Sequence, residues 1–167
     1  MNRRRTTAPS ASTPATTVLA KAGVPHALHP YEHRPTARSY GIEAAEALGV
    51  EPERVFKTLL ADVDGDLVVA IVPVCGSLDL KAVASAHGGK RAGMAASAAA
   101  ERATGYVVGG ISPFGQRKRL PTIVDVTAME HETVYVSAGK RGLDIELSPA
   151  DLVRLTGAKT ARIGRSG

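Results

Sequence analysis

Two dense apolar runs separated by one short polar break stand out along the chain. Val55 to Asp62 and Leu67 to Val74 are rich in aliphatic and β-branched residues, which predicts two strands, and the Asp64-Gly65 pair between them is suited to a tight hairpin. Upstream, Thr17 to Ala22 predicts a short helix stopped by Gly23 and Pro25. Val24 to Tyr31 predicts a strand that Pro30 confines to an edge or an end, and about Ile42 to Leu48 a second helix closed at Gly49. Downstream, Leu80 to Ala86 predicts a helix ended by Gly88-Gly89, and Ser97 is placed to cap another that runs through Ala103 to Gly105. The chain then turns β-rich, with Tyr106 to Val108, Thr122 to Asp125, Thr133 to Ser137 and Leu143 to Leu147 alternating or β-branched. Ser148 and Pro149 open a last helix that Gly157 stops, and Ala161 to Ile163 predicts a final strand. No repeat or internal linker intervenes. The expectation is one α+β domain over residues 17–165, with a mixed or mostly antiparallel sheet, behind a flexible Arg-, Ser-, Thr- and Pro-rich tail over residues 1–16.

Composition narrows the classes. The 167 residues are 44% apolar but only 4% aromatic, with no tryptophan, so the core has to be built from Val, Leu, Ile and Ala. A net charge of +5 and a pI of about 9.6 suit a polyanionic partner, and suit a solvated basic surface equally well. The single cysteine, Cys75, excludes an internal disulfide and a cysteine-built metal site. No apolar run approaches the ~20 residues of a membrane span, and the first residues lack the apolar stretch of a secretory signal. A cytoplasmic protein with no membrane partner is expected.

Three segments carry residue types that packing does not ask for. In Val55-Phe56-Lys57-Thr58-Leu59-Leu60 a lysine interrupts an apolar strand; alternation puts Lys57 on a face with Val55 and Leu59, and Phe56, Thr58 and Leu60 on the other. In a cleft, Lys57 is a donor in need of an anionic or carbonyl partner; at an edge, its stem simply lies along the sheet with the ammonium in water. The second segment runs from Gly105 to Gln116. Gly109 and Gly110 can bring bare N–H groups against a carbonyl oxygen or a phosphate, or serve only as a turn. Its spacing matches neither a P-loop nor a dinucleotide fingerprint. The cations that follow, Arg117-Lys118-Arg119, suit a phosphate backbone or plain solvent.

The third segment, Ser137 to Leu147, combines a hydroxyl, Gly139 and Gly142, and Lys140 and Arg141 in a second turn suited to an anion or a hydroxyl-rich ligand. Asp144 and Glu146 then fall on one side of a strand, an arrangement open to a metal, an amine or solvent. His26, His29 and His33 surround a strand end without Cys or Asp partners, so no metal is expected. Cys75 lacks a Cys-His signature, and no Gly-x-Ser-x-Gly elbow is present. An enzyme made from these parts takes its nucleophile from water or from its substrate.

Phe56-Lys57-Thr58-Leu59, then Gly105 to Gln116, then Tyr135 to Leu147, in this order, resemble the bacterial YbaK/EbsC family over about Thr17 to Ile163. The resemblance implies the fold of the prolyl-tRNA synthetase editing domain, a curved, barrel-like mixed sheet with flanking helices. It implies a trans-editing hydrolase that deacylates Cys-tRNA(Pro), the product made when prolyl-tRNA synthetase mistakes cysteine for proline. No cofactor or metal is implied; the partners are aminoacyl-tRNA and prolyl-tRNA synthetase, and not DNA. By the same resemblance the essential lysine is Lys57, flanked by Phe56 and Thr58 in the substrate site. Tyr31 is the tyrosine of the His-x-Tyr-x-His segment, and Gly109 the first glycine of a loop continuing through Gly110, Ile111 and Ser112. Ser137 and Gly139 belong to the Val-Ser-x-Gly-Lys-Arg turn, Asp144 is the aspartate of Gly-Leu-Asp, and Tyr40 stands where relatives often have phenylalanine before glycine. Cys75 is outside the family's functional set.

Cysteine and proline are similar in volume, so a pocket that judges size separates them poorly. The family is similar to a substrate-assisted enzyme in which the sulfur of the bound cysteine attacks its own ester. A thiol of pKa ~8.5 is a few per cent thiolate at neutral pH, and intramolecular alignment supplies an effective molarity on the order of 10⁵ M or more. Two other readings stay open: an Ala-tRNA(Pro) deacylase that uses water, and a non-catalytic module that binds tRNA or the synthetase.

Overall fold

The computed structural model describes residues 12–33 and 40–166. Residues 1–11, most of the expected tail, lie outside the described residues, as does the side chain of Tyr40. The first helix, α1 (Pro14–Ala22), begins three residues before the expected Thr17. Thr13 caps it through a reciprocal exchange with Thr16, and Pro14 occupies the first turn, where its missing N–H costs nothing. β1 (His26–Pro30) and α2 (Tyr40–Leu48) follow, then a short 3₁₀ turn at Pro52–Arg54. β2 (Phe56–Val63) and β3 (Asp66–Pro73) form the expected hairpin. Asp64 and Gly65 both take positive φ, 51° and 95°, the twist that a two-residue hairpin turn needs.

β4 (Ser77–Leu78), α3 (Leu80–His87), β5 (Ala92–Met94) and α4 (Ser97–Thr104) come next. Ser97 is not the cap of α4. Ala96 holds that position, because Ala95 N–H is already bonded to Leu60 C=O and the chain enters the helix directly from β5. Nor is Tyr106 to Val108 a strand. Tyr106 is buried, donates its hydroxyl to Phe114 C=O at 2.6 Å, and packs its ring where a side chain on Gly139 would have to be. The remaining elements are β6 (Thr122–Asp125), a 3₁₀ turn at Val126–Glu130, β7 (Val134–Lys140), β8 (Leu143–Leu147) and α5 (Pro149–Thr156). α5 is capped by Ser148 and ended by Gly157, as expected. The last strand falls earlier than expected, as β9 (Lys159–Ala161), with a two-residue β10 (Gly164–Arg165) after it. Ile163 lies between them, buried, with its N–H bonded to the Asp125 carboxylate.

The strands make a five-stranded mixed sheet in the order β5-β2-β3-β6-β9, a three-stranded antiparallel sheet β1-β8-β7, and the small pair β10-β4. A parallel bridge between Val55 and Tyr135 joins the two larger sheets at the start of β2. Alternation sorts the five-stranded sheet cleanly. Phe56, Leu60, Val69 and Ile71 face β7, β8 and α1, whereas Ala61, Val63, Val68, Ala70 and Val72 face α3. A third, smaller apolar cluster under α2 gathers Ala45, Val55, Val74 and Tyr135.

One detail of pairing positions the site. β5 covers β2 only over Ala61 to Val63, so the first half of β2 has no partner from β5 on that side. The cleft opens along this edge.

Candidate active site

A cavity of about 350 Å³ follows the open edge of β2. Of the residues singled out in the sequence, it is lined by Tyr31, Phe56, Lys57, Thr58, Gly109, Ile111, Ser137 and Asp144. Three distant motifs thus converge on one space. Alternation alone would have sent Lys57 and Thr58 to opposite faces; both reach the cavity because it opens on the strand's edge.

Lys57 is half-buried and points its ammonium to the turn after β3, where Nζ donates to Gly76 C=O at 2.9 Å. Burial lowers its proton affinity, opposed by the neighbouring Cys75. Asp144, on β8, sits opposite Ser137 of β7 and His29 of β1 and is 5% exposed. Burial pushes its carboxyl up to about 7. Tyr31 is tied down through its backbone N–H to Gly142 C=O at 2.9 Å. Its phenol is raised to about 12, first by burial and then by the Asp144 charge, so it stays a neutral hydroxyl. Ser137 Oγ accepts the Gly139 N–H at 3.0 Å, which leaves its own proton to donate.

The glycine turn is braced from two sides. Val108 N–H donates to Glu101 Oε2 of α4 at 2.9 Å, and Arg141 donates to Val108 C=O at 2.5 Å. Gly109 takes φ 93°, which favours glycine. Gly110 does not line the cavity; a Cβ there would lie 3.0 Å from the Lys140–Arg141 backbone, so its role is close approach of the two turns. Ser112 and Gly139 also fall outside the lining. Ser112 is fully buried and accepts the Phe114 N–H, and Gly139 (φ 108°) makes room for the Tyr106 ring in the irregular stretch between Ser137 and Lys140.

The structure divides the remaining candidates. Asp144 and Glu146 share a strand face but not an environment: Glu146 is held by His29 at 2.9 Å and by Thr133 at 2.6 Å, with Arg54 beside it. His26 bonds to Val24 C=O and His33 to Glu43. Arg117 lies over Gly105 and Arg119 over Gly157, at the C-terminal ends of α4 and α5, where a cation complements the helix carbonyls. Cys75 is exposed and is not among the lining residues. Sequence reasoning missed the far wall: Gly41 and Ala44 of α2, and Met94, Ala95, Ser97 and Ala100 around the start of α4. Small side chains carry no chemical signature, so only the Ala95–Leu60 bond discloses this wall.

A half-buried lysine, a braced glycine turn and hydroxyl side chains thus gather around one cavity. The profile of the aminoacyl-tRNA editing domain family matches residues 34–155. The chain belongs to that family. It is 43% identical over 121 residues, 71% of this chain and 73% of the relative, to the Enterococcus faecalis protein named "Putative Cys-tRNA(Pro)/Cys-tRNA(Cys) deacylase EbsC". It is 33% identical over 89 residues, 53% of each chain, to the Escherichia coli "Multifunctional Ser/Thr-tRNA deacylase ProXp-y". A crystal structure described as a "putative trans-editing enzyme for prolyl tRNA synthetase" superposes with a TM-score of 0.81 over 96% of this chain and all of its own, at 24% identity, and shares the fold. The chain carries an aminoacyl-tRNA editing fold, and no helix among the described residues is long and apolar enough to cross a membrane.

Proposed function

We propose that this protein deacylates Cys-tRNA(Pro) in trans, with the thiol of the bound cysteine as the attacking group. In that step a C–S bond forms at the ester carbonyl, the ester C–O bond breaks, and the thiol proton passes to the ribose oxygen. Water then opens the resulting thiolactone. Lys57 and the Gly109 turn would orient the ester and stabilise the charge that grows on oxygen, as preorganised donors do. Tyr31, Ser137 and Asp144 would hold the amino group and ribose, with Phe56 and Ile111 as apolar wall.

One observation carries the reading: among the described residues, neither cysteine nor histidine lines the cavity where these donors converge. A nucleophile of the activated Cys-His or Ser-His kind has no counterpart there. The relative EbsC, by its name, points to the same substrate. Delivery of the mischarged tRNA by prolyl-tRNA synthetase belongs to this proposal.

A second reading has its own support. A carboxyl poised at about 7 is suited to activate water, and ProXp-y is named for Ser- and Thr-tRNA. Side-by-side deacylation of Cys-, Ser-, Ala- and Pro-tRNA(Pro) separates the two. Cys-tRNA(Pro) should be cleaved at least ~10-fold faster than Ser-tRNA(Pro), because only the thiol is appreciably ionised near neutral pH. Lys57→Ala should abolish the reaction, and Cys75→Ser should leave it unchanged. Equal rates for the Cys and Ser esters, or an inactive Cys75→Ser enzyme, would overturn the thiol-assisted scheme. An ester half-life that the protein does not shorten would point to a binding module.

A further inference from the structure

The start of α4 opens on the cavity with no side-chain cap among the described residues. Ala96 at the cap position has no side chain to accept a hydrogen bond, and the first turn carries no acidic residue. The first intrahelical bond is Ala100 N–H to Ala96 C=O, so the N–H groups of Ser97, Ala98 and Ala99 precede it without an intrahelical acceptor. Ala95 and Ser97 line the cavity, and Ser97 and Ala98 are exposed.

Thr58 adds an independent sign of a ligand. It lines the same cavity at 9% exposure, and its Oγ1 is buried without a hydrogen-bond partner among the described residues. A buried hydroxyl left unpaired is costly and calls for an occupant. The two features adjoin. Ala95 N–H bonds to Leu60 C=O, which lays the start of α4 against β2 two residues beyond Thr58. Val55 C=O accepts Val74 N–H on the opposite side of β2, so alternation also turns the Thr58 peptide group toward the uncovered edge.

We propose that the uncapped first turn of α4 and the Thr58 hydroxyl form an oxyanion subsite for the phosphate of the substrate's 3′-terminal nucleotide. The inference rests on the deacylase reading. In an aminoacyl-tRNA the anionic group nearest the ester is the phosphodiester on the terminal ribose. With Lys57 and the Gly109 turn directed at the ester, a helix N-terminus at the cavity's exposed rim is left for that phosphate, matched by backbone donors and a favourable dipole.

Amide chemical shifts of the full chain, titrated with adenosine 5′-monophosphate and separately with adenosine, test this directly. The monophosphate should shift the amides of Ser97, Ala98, Ala99 and Thr58, and should bind at least ~10-fold more tightly than adenosine, on the scale of one or more charge-assisted hydrogen bonds. Ala96→Asp places a carboxylate on the same N–H groups. It should leave the melting temperature unchanged or higher while removing the preference for the monophosphate. Thr58→Val should weaken the monophosphate several-fold and adenosine little. Equal affinity for the two ligands, or an Ala96→Asp protein that still prefers the monophosphate, overturns the subsite. If the subsite fails while Cys-tRNA(Pro) is still cleaved, the deacylase reading stands. If the monophosphate binds as expected and no ester is cleaved, that reading falls and the subsite survives.

Discussion

Asp144 supplies the prediction with the largest magnitude. Its carboxyl is 5% exposed, has no side-chain hydrogen bond among the described residues, and is raised by burial to about 7. An unfolded aspartate titrates near ~3.9, so at ~1.4 kcal/mol per tenfold change in proton affinity the charged form costs the fold about 4 kcal/mol. The sign follows from the raised value. The unfolded chain releases this proton first, so the contribution is absent below about pH 4, grows as pH rises, and reaches its full cost above about pH 7. Asp144→Asn keeps the shape and removes the charge. Urea unfolding at pH 5 and pH 8 should therefore give a small gain over wild type at pH 5, about 1–2 kcal/mol, and a larger one at pH 8, about 4 kcal/mol. Comparing the two proteins at each pH cancels every other titrating group. A gain at pH 8 no larger than at pH 5 would refute the reasoning and mean that the carboxylate is compensated in the fold. Deacylation should fall in the same variant, since a cavity that holds a destabilised carboxyl trades stability for function.

Two further predictions concern residues outside the cavity lining. Glu101→Ala should release the Val108 N–H and loosen the Gly109 turn, lowering kcat of deacylation ~10-fold with KM little changed and stability within ~1 kcal/mol; Glu101→Gln, which keeps an acceptor oxygen, should recover most of the rate, and a KM effect instead would sink a positioning role. Asp125 is buried, which alone would raise its carboxyl, but bonds from Thr127, Gly164 and Ile163 overrule this and hold it below the usual range. Asp125→Ala should therefore cost about 3 kcal/mol or more at pH 7, and the penalty should shrink as pH falls through the acid range where the native carboxylate is protonated; chemical denaturation against pH reads both.

What could be read in the sequence was whatever local chemistry decides. The Asp64-Gly65 turn and the Ser148-Pro149 start of α5 need only their own residues, and both stand where expected. Tyr106 to Val108 has strand-like residues, but its conformation answers to the packing of one ring against Gly139, which lies more than thirty positions away. Ser97 is the better cap by intrinsic preference, yet the Ala95–Leu60 bond fixes where the helix begins and leaves a poor cap at Ala96. The site followed the same rule. Lys57, Gly109, Ser137 and Asp144 were visible as chemically awkward residues, whereas the alanine wall was not, because small apolar side chains mark no chemistry in a sequence.

The electrostatics of the cavity bear on why an editing site would leave attack to its substrate. Burial moves Lys57 and Asp144 in opposite directions, and for each the direction favours the neutral form. Tyr31 is held neutral as well, and Thr58, Ser97 and Ser137 offer hydroxyls. Such a lining offers hydroxyl donors and the Lys57 amine, and no imidazole lines it among the described residues. A bound cysteine thiol, at pKa ~8.5, needs little help to ionise, whereas water, a far weaker acid, needs a base or a metal. Under the proposed thiol-assisted scheme, discrimination between cysteine and the similarly sized proline would come from the reactivity of the ligand itself. The cavity would then have only to hold the ester still, a task to which a wall of small residues with fixed N–H groups is suited.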